Sequence, residues 1–151
     1  DVFFAPLKKG LEKSGRTMDD IDIQVGGNFE IGDDVERMIE ARKPGMAFQL
    51  GAMGSANTNF YNDAFIRAGY EDAAVEVQKL WIARKRDEAA RRVPDEMILK
   101  TSFIGTREMI KERLKAYEDA GVKTLRISTT SAGNTPQIDA LAEVLELLGS
   151  N

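Results

Sequence analysis

The spacing of hydrophobic positions changes along this chain, and each change marks an element. In residues 103–128, FIGTREMIKERLKAYEDAGVKTLRIS, a short apolar run at Phe103-Ile104 gives way after Gly105-Thr106 to a helical stripe of Met109, Ile110, Leu114 and Tyr117. Lys111, Glu112, Lys115 and Glu118 fill the opposite face, which predicts an amphipathic helix. Thr106 stands where a hydroxyl caps the first free N–H groups, and Glu108 lies in the first turn, where the helix dipole favours an anion. Gly121 stops the helix, and Val122, Leu125 and Ile127 form the next strand. A helix joined so briefly to an apolar strand docks on a parallel sheet, so the fold class is α/β.

The same reading extends over the remaining residues. Phe3 to Ser14 is a helix carrying Phe4, Leu7 and Leu11 on one face, ended by Gly15. Residues 16–20 connect it to a strand in which Ile21, Ile23 and Val25 alternate with polar positions, closed by Gly26-Gly27-Asn28. Asp33-Asp34-Val35-Glu36 opens a helix to about Arg42, with Asp33 and Glu36 spaced as a capping box, and Pro44-Gly45 breaks or kinks it. Residues 45–59 predict a short buried helix and a loop, and Asn59 to Ala68 a further helix ended by Gly69-Tyr70. Glu71 to about Arg92 is one long helical stretch anchored by Val75, Leu80 and Trp81. Pro94 starts a short helix through Ile98. After the polar loop 129–134, Thr135-Pro136 opens a last helix docked through Ile138, Leu141, Ala142, Leu145 and Leu148. No repeat or domain boundary interrupts 1–151, which reads as a single partial domain with a helical insertion at about 45–98.

Composition narrows the chemistry mainly by what is missing. The 151 residues contain no cysteine and no histidine. That excludes disulfides, thiolate nucleophiles, Ser-His-Asp triads, and cysteine or histidine metal ligands within the chain; no metal site is expected. With 21 basic and 25 acidic residues the net charge is mildly negative, so no nucleic-acid footprint is present. The cluster Arg84-Lys85-Arg86, with Arg91-Arg92, is interrupted by acids and reads as a solvated helix face. No apolar run has the length of a membrane span and no signal-peptide pattern opens the chain; a cytoplasmic protein is expected. The chain begins at Asp1 with Phe3, Phe4 and Leu7 already at helical spacing, which reads as a start inside an element of something longer.

Ala47 to Tyr70, AFQLGAMGSANTNFYNDAFIRAGY, resembles a segment of luciferase-like flavin and deazaflavin oxidoreductases that reads roughly G-x-M-G, then NFY, then GY. Glu71-Asp72-Ala73-Ala74, Asp87-Glu88-Ala89-Ala90, Val93-Pro94-Asp95-Glu96, Gly105-Thr106-Arg107-Glu108 and residues 117–122 continue the pattern in order. The resemblance implies the C-terminal portion of a TIM-type β/α barrel, left incomplete, with an irregular helical insertion. It further implies a cofactor, either the deazaflavin coenzyme (F420 type) or FMN, and hydride transfer to or from a small organic substrate, or oxygen activation by a reduced flavin. The family's acid/base residues lie in the N-terminal half and match nothing here. No catalytic residue is assigned, and the chain is expected to be inactive without that half. The other reading is a non-catalytic α/β piece that folds by self-association or by pairing with another chain, since open sheet edges invite pairing.

Barrel function sits on the loops that follow strands. Two are expected, 26–29 and 128–131, giving Gly27, Asn28, Ser128 and Thr129 as candidate cofactor or substrate contacts, with a plain turn as the competing reading of the glycines. Arg126, between Leu125 and Ile127, is the fifth candidate: it is expected to face the barrel interior and bind an anionic group, to pair with a structural carboxylate, or to be exposed if the barrel is incomplete. Gly51 to Gly54 reads as close helix packing, Asp33-Asp34 and Asp95-Glu96 as helix-start acids, and Trp81, Phe60 and Tyr61 as core. As a closing strand, 124–128 needs a first strand to pair with, and the chain is expected to lack one.

Overall fold

The computed structural model describes residues 4–55, 57–129 and 137–149. In chain order these form α1 (Phe4–Ser14), a 3-10 turn (Met18–Asp20), β1 (Gln24–Ile31), α2 (Val35–Glu40) and α3 (Lys43–Ala52). Then come α4 (Phe60–Arg67), α5 (Glu71–Ile82), α6 (Arg86–Arg91), α7 (Asp95–Thr101), β2 (Phe103–Gly105), α8 (Arg107–Asp119), β3 (Thr124–Thr129) and α9 (Gln137–Gly149). The expected loop residues 130–134, the helix opening at Thr135-Pro136 and residue Phe3 lie outside the described residues, as do the side chains of Ile138 and Leu141.

Among the described residues the strands make one parallel sheet in the order β2-β1-β3. β1 pairs with β3 from Gln24 opposite Thr124 to Phe29 opposite Thr129, and with β2 only at its end, from Phe29 opposite Phe103 to Ile31 opposite Gly105. β3 therefore pairs with β1 on one side, and among the described residues no strand pairs with its other edge. Strand residues alternate between faces. On one face Phe29 and Phe103 pack with Ile110 and Leu114 of α8 and Val144 and Leu147 of α9, with Leu125 and Ile127 against them. Arg107 clamps the same two helices, its guanidinium 3.1 Å from Glu143 and 2.9 Å from Glu146. The other face carries Gln24, Gly26, Asn28 and Glu30 of β1 with Thr124, Arg126 and Ser128 of β3, and is largely open.

Gly26-Gly27-Asn28 does not close a strand. It is the middle of β1. The glycines serve packing: a Cβ on Gly27 would lie 3.0 Å from the Phe103 ring, and Phe103 is almost fully buried. A side chain at this position would require the buried Phe103 ring to give by a few tenths of an ångström.

Helices α2–α7 build a second core around Met38, Met46, Ala47, Leu50, Ala74, Val77, Val93 and Met97. Two buried asparagines lock it. Asn59 caps α4 by accepting from the Asn62 N–H at 3.1 Å, and its amide donates to the carbonyls of Gln49 and Leu50 at 3.2 and 2.7 Å. Asn62 donates to the carbonyls of Leu50 and Ala74 at 3.0 and 2.8 Å. The end of α3, whose carbonyls lack intrahelical partners, is thereby sealed against α4 and α5. Gly51 lies under Trp81, where a Cβ would come within 2.3 Å of the indole side chain, so this glycine does serve close helix packing.

Several local expectations shift. Asp34, not Asp33, caps α2, accepting from the Arg37 N–H at 3.1 Å. Pro44 stands in the first turn of α3 and opens that helix, where the missing N–H costs nothing. The stretch 71–92 is two helices, because Arg84 adopts φ 63° and reverses the chain between α5 and α6. Val75 is half exposed, while its neighbours Ala74 and Val77 are buried. In α9, Val144 and Leu147 dock, whereas Leu145 and Leu148 face outward. Phe60 is 69% exposed and Tyr61 39%, so neither is core.

Gly27→Ala should lower unfolding free energy by about 1–3 kcal/mol, the usual penalty of overpacking a filled core, read from urea denaturation midpoints. An unchanged midpoint would show that Phe103 yields and that the glycine is not required for packing.

Candidate functional site

Because the apolar residues of β1 and β3 point toward α8 and α9, the polar ones are gathered on the opposite face. An open basin of about 570 Å³ lies there, lined by Gly26, Asn28, Gln49, Thr101, Arg126 and Ser128 among others. Asn28 stands opposite Ser128 in the ladder, and Gly26 opposite Arg126. Gly26 would place a Cβ only 3.3 Å from the Arg126 carbonyl. Arg126 is exposed, and its guanidinium makes no ion pair or hydrogen bond with the described residues. Of the expected candidates, then, the structure brings Gly27, Asn28, Arg126 and Ser128 together around the basin. A Cβ on Gly27 would face Phe103, and its neighbour Gly26 lies next to Arg126. The backbone of Thr129 pairs opposite Phe29 within β3, so the expected loop at 128–131 begins at least two residues later.

A second hollow of about 510 Å³ shares Asn28, Gln49 and Thr101 with the basin and runs between the end of β1 and helices α2, α3, α4 and α7. Met46, Tyr61, Phe65 and Ile98 line it, with Glu30, Arg37 and Arg42 at one side. Glu30 is clamped: one carboxylate oxygen is 2.7 Å from Arg37 Nη2, the other 2.9 Å from Arg42 Nη2. Arg42 also donates to the Met38 carbonyl at 2.9 Å. Burial pushes the Glu30 carboxyl up, but the hydrogen bonds from Arg37 and Arg42, with their charges, outweigh it and hold the group below its ordinary value. Among the described residues no group of His, Cys, Asp or Glu is arranged to hold a metal ion, and no helix is long and apolar enough to cross a membrane.

Glu30, Arg37, Arg42, Gln49, Thr101, Tyr61 and Phe65 were not among the sequence candidates. Glu30 had a signal, since it lies two residues beyond Asn28 and shares its face once the strand is carried through the glycines. Gln49 and Thr101 reach the sheet through tertiary packing and had none.

This geometry, a parallel sheet with an open polar face and an interposed helical layer, was compared with known proteins. The family model for luciferase-like monooxygenases matches residues 2–124. The chain belongs to the luciferase-like monooxygenase family. This luciferase-like chain is 31% identical to a Mycobacterium tuberculosis protein named as a coenzyme F420-dependent oxidoreductase, over 93% of its own length and 44% of that relative. It thus spans under half of the curated relative it matches. Among solved structures, the coenzyme F420-dependent tetrahydromethanopterin reductase of Methanopyrus kandleri superposes with a TM-score of 0.63, at 24% identity. The match covers 89% of this chain and 37% of that one, and shows that the fold is part of a longer luciferase-like β/α enzyme's.

The Glu30 clamp gives the luciferase-like chain a pH signature. A carboxylate depressed on folding contributes stability that is present above its unfolded pKa and lost as pH falls through the folded value. Denaturation midpoints of the wild type should therefore fall on acidification below about 4.5, the ordinary value. Glu30→Gln should cost about 1–3 kcal/mol at pH 7, as loss of charge-assisted hydrogen bonds does, and should flatten that acid limb. A variant with an undiminished acid limb would remove Glu30 as its source.

Proposed function

We propose that this chain is the part of a deazaflavin-dependent oxidoreductase that supplies one wall of the coenzyme and substrate cleft. The single observation that carries the reading is Arg126, a guanidinium without a partner among the described residues, on the open polar face of a luciferase-like sheet beside a bare glycine strand. An unpaired arginine there suits the charge of an anionic cofactor group, and Gly26 leaves the backbone approachable by a flat one. Asn28 and Ser128 add uncharged hydrogen-bonding groups on the same face. When bound, the deazaflavin coenzyme would supply two-electron hydride chemistry. The residues of this chain would hold and orient it and shield one side of it from water. Proton transfer has no histidine to use here, and we assign no catalytic acid or base within 1–151. That role falls to the remainder of the barrel, and the separate chain is inactive. The substrate is a small organic molecule.

Titrating the chain with the deazaflavin coenzyme and, separately, FMN, and following cofactor fluorescence and thermal midpoint, tests the reading. Deazaflavin should bind, and Arg126→Gln should weaken it about ten- to a hundredfold, the worth of one charge-assisted hydrogen bond. Equal binding by the variant ends the role of Arg126. A preference for FMN would change the cofactor.

One observation favours a second reading, in which the chain is non-catalytic and self-associates. Leu145 is 69% exposed and Leu148 43%, and both border an apolar groove of about 720 Å³ that also exposes Leu125 and Ile127. Sedimentation at micromolar concentration decides between them. A stable homodimer with no coenzyme affinity would replace the first reading, and a monomer that binds coenzyme would exclude the second.

A further inference from the structure

We infer that the hollow between the end of β1 and helices α2, α3, α4 and α7 is a substrate limb for organic carboxylates: it holds an apolar body against Tyr61 and Phe65 and bonds the acid group through Arg37. The word substrate rests on the oxidoreductase reading, but the evidence for the limb is separate. At about 510 Å³ the hollow has the size of a small-molecule site, and Met46, Tyr61, Phe65 and Ile98 give it apolar walls.

Charge selects what enters. The chain as a whole is acidic, with a formal net charge of −4. Yet the charged residues lining this hollow and the adjoining basin are three arginines, Arg37, Arg42 and Arg126, and one acid, Glu30. A concave face that gathers positive charge draws anions, because its low-dielectric walls focus the field. The two arginines of the hollow differ in what they can offer. Arg42 is closed off: it donates to Glu30 and to the Met38 carbonyl, both at 2.9 Å, and its Nε is buried without a partner among the described residues. It supplies charge that offsets Glu30, not a contact for a ligand. Arg37 is half exposed and gives Glu30 only Nη2, at 2.7 Å. Asp34, exposed and outside the lining, stands 3.7 Å from Arg37 Nε, beyond hydrogen-bonding distance, and water screens it. Arg37 therefore keeps N–H groups for an entering carboxylate, in the charge-assisted bonds that guanidinium groups make best. Where the two hollows meet, the side-chain amides of Asn28 and Gln49 are exposed and make no hydrogen bond with the described residues. They add donors without charge. The cleft has two anion positions, Arg126 for the coenzyme and Arg37 for the substrate, with a neutral stretch between them.

Naphthalene-2-carboxylate and its neutral isostere naphthalene-2-carboxamide, titrated into the full chain near neutral pH by ligand-observed NMR, test this. The carboxylate should bind about tenfold more tightly, and raising the salt from about 0.02 M to about 0.5 M should erase most of that preference. Arg37→Gln should bring the two probes level. Glu30→Gln makes the hollow more positive, so the carboxylate should tighten about tenfold while the amide changes little. A gain of that kind does not come from a damaged fold. Tyr61→Ala should weaken both probes. Equal binding of the two probes to the wild type overturns the inference. So does a preference that survives Arg37→Gln, or one that Arg126→Gln reduces more than Arg37→Gln does. Probe binding indifferent to Tyr61→Ala places the probes elsewhere and overturns it too. Displacement of the carboxylate by the deazaflavin coenzyme would assign the Arg37 position to the cofactor, with the same result. Carboxylate selectivity in a chain without coenzyme affinity sinks only the oxidoreductase reading. Coenzyme binding without selectivity sinks only this one.

Discussion

The parallel ladder between β1 and β3 joins residues about one hundred positions apart, and the arrangement of both faces follows from it. Long-range parallel pairing is entropically slow to form, because a loop must close before any contact rewards it. The intervening residues soften that cost by folding on themselves. Helices α2–α7 have their own core, and the Asn59 and Asn62 amides fasten α3, α4 and α5 to one another over short sequence distances. Once the ladder forms, the two-residue alternation of its strands decides the rest. Phe29, Leu125 and Ile127 go to α8 and α9, and Asn28, Arg126 and Ser128 are left on the open side.

The sequence made most element types legible, because helix caps, stops and apolar spacing are local properties. Thr106 caps α8 as its position suggests, accepting from the Met109 N–H. What was misread depended on distant partners. Gly26-Gly27 carries turn chemistry in isolation, and the distant ladder partners Arg126 and Ile127 make it strand. Arg84 has no side-chain signature for φ 63°, so the break between α5 and α6 was invisible. In α5 and α9 the helical spacing points to Val75, Leu145 and Leu148, whereas Ala74, Val77, Val144 and Leu147 are the ones buried.

The site was legible to the same degree and for the same reason. Asn28, Arg126 and Ser128 could be named from their places in or beside predicted strands. The residues that turn a strand face into a cleft, among them Gln49, Thr101 and Phe65, arrive from helices whose docking no local pattern encodes. The family assignment added what neither spacing nor composition contained, a likeness to proteins that are named for a coenzyme and are more than twice as long.

The two hydrophobic cores meet at β2, where Phe103 belongs to the sheet core and Ile104 to the helical one. Consecutive residues of one three-residue strand are thus the seam between two separately packed bodies. Such a division lets each body diversify without unsettling the other. Exchanges at Tyr61 or Phe65 alter the wall of the cleft while the strand floor, held by Phe29 and Phe103, keeps its register.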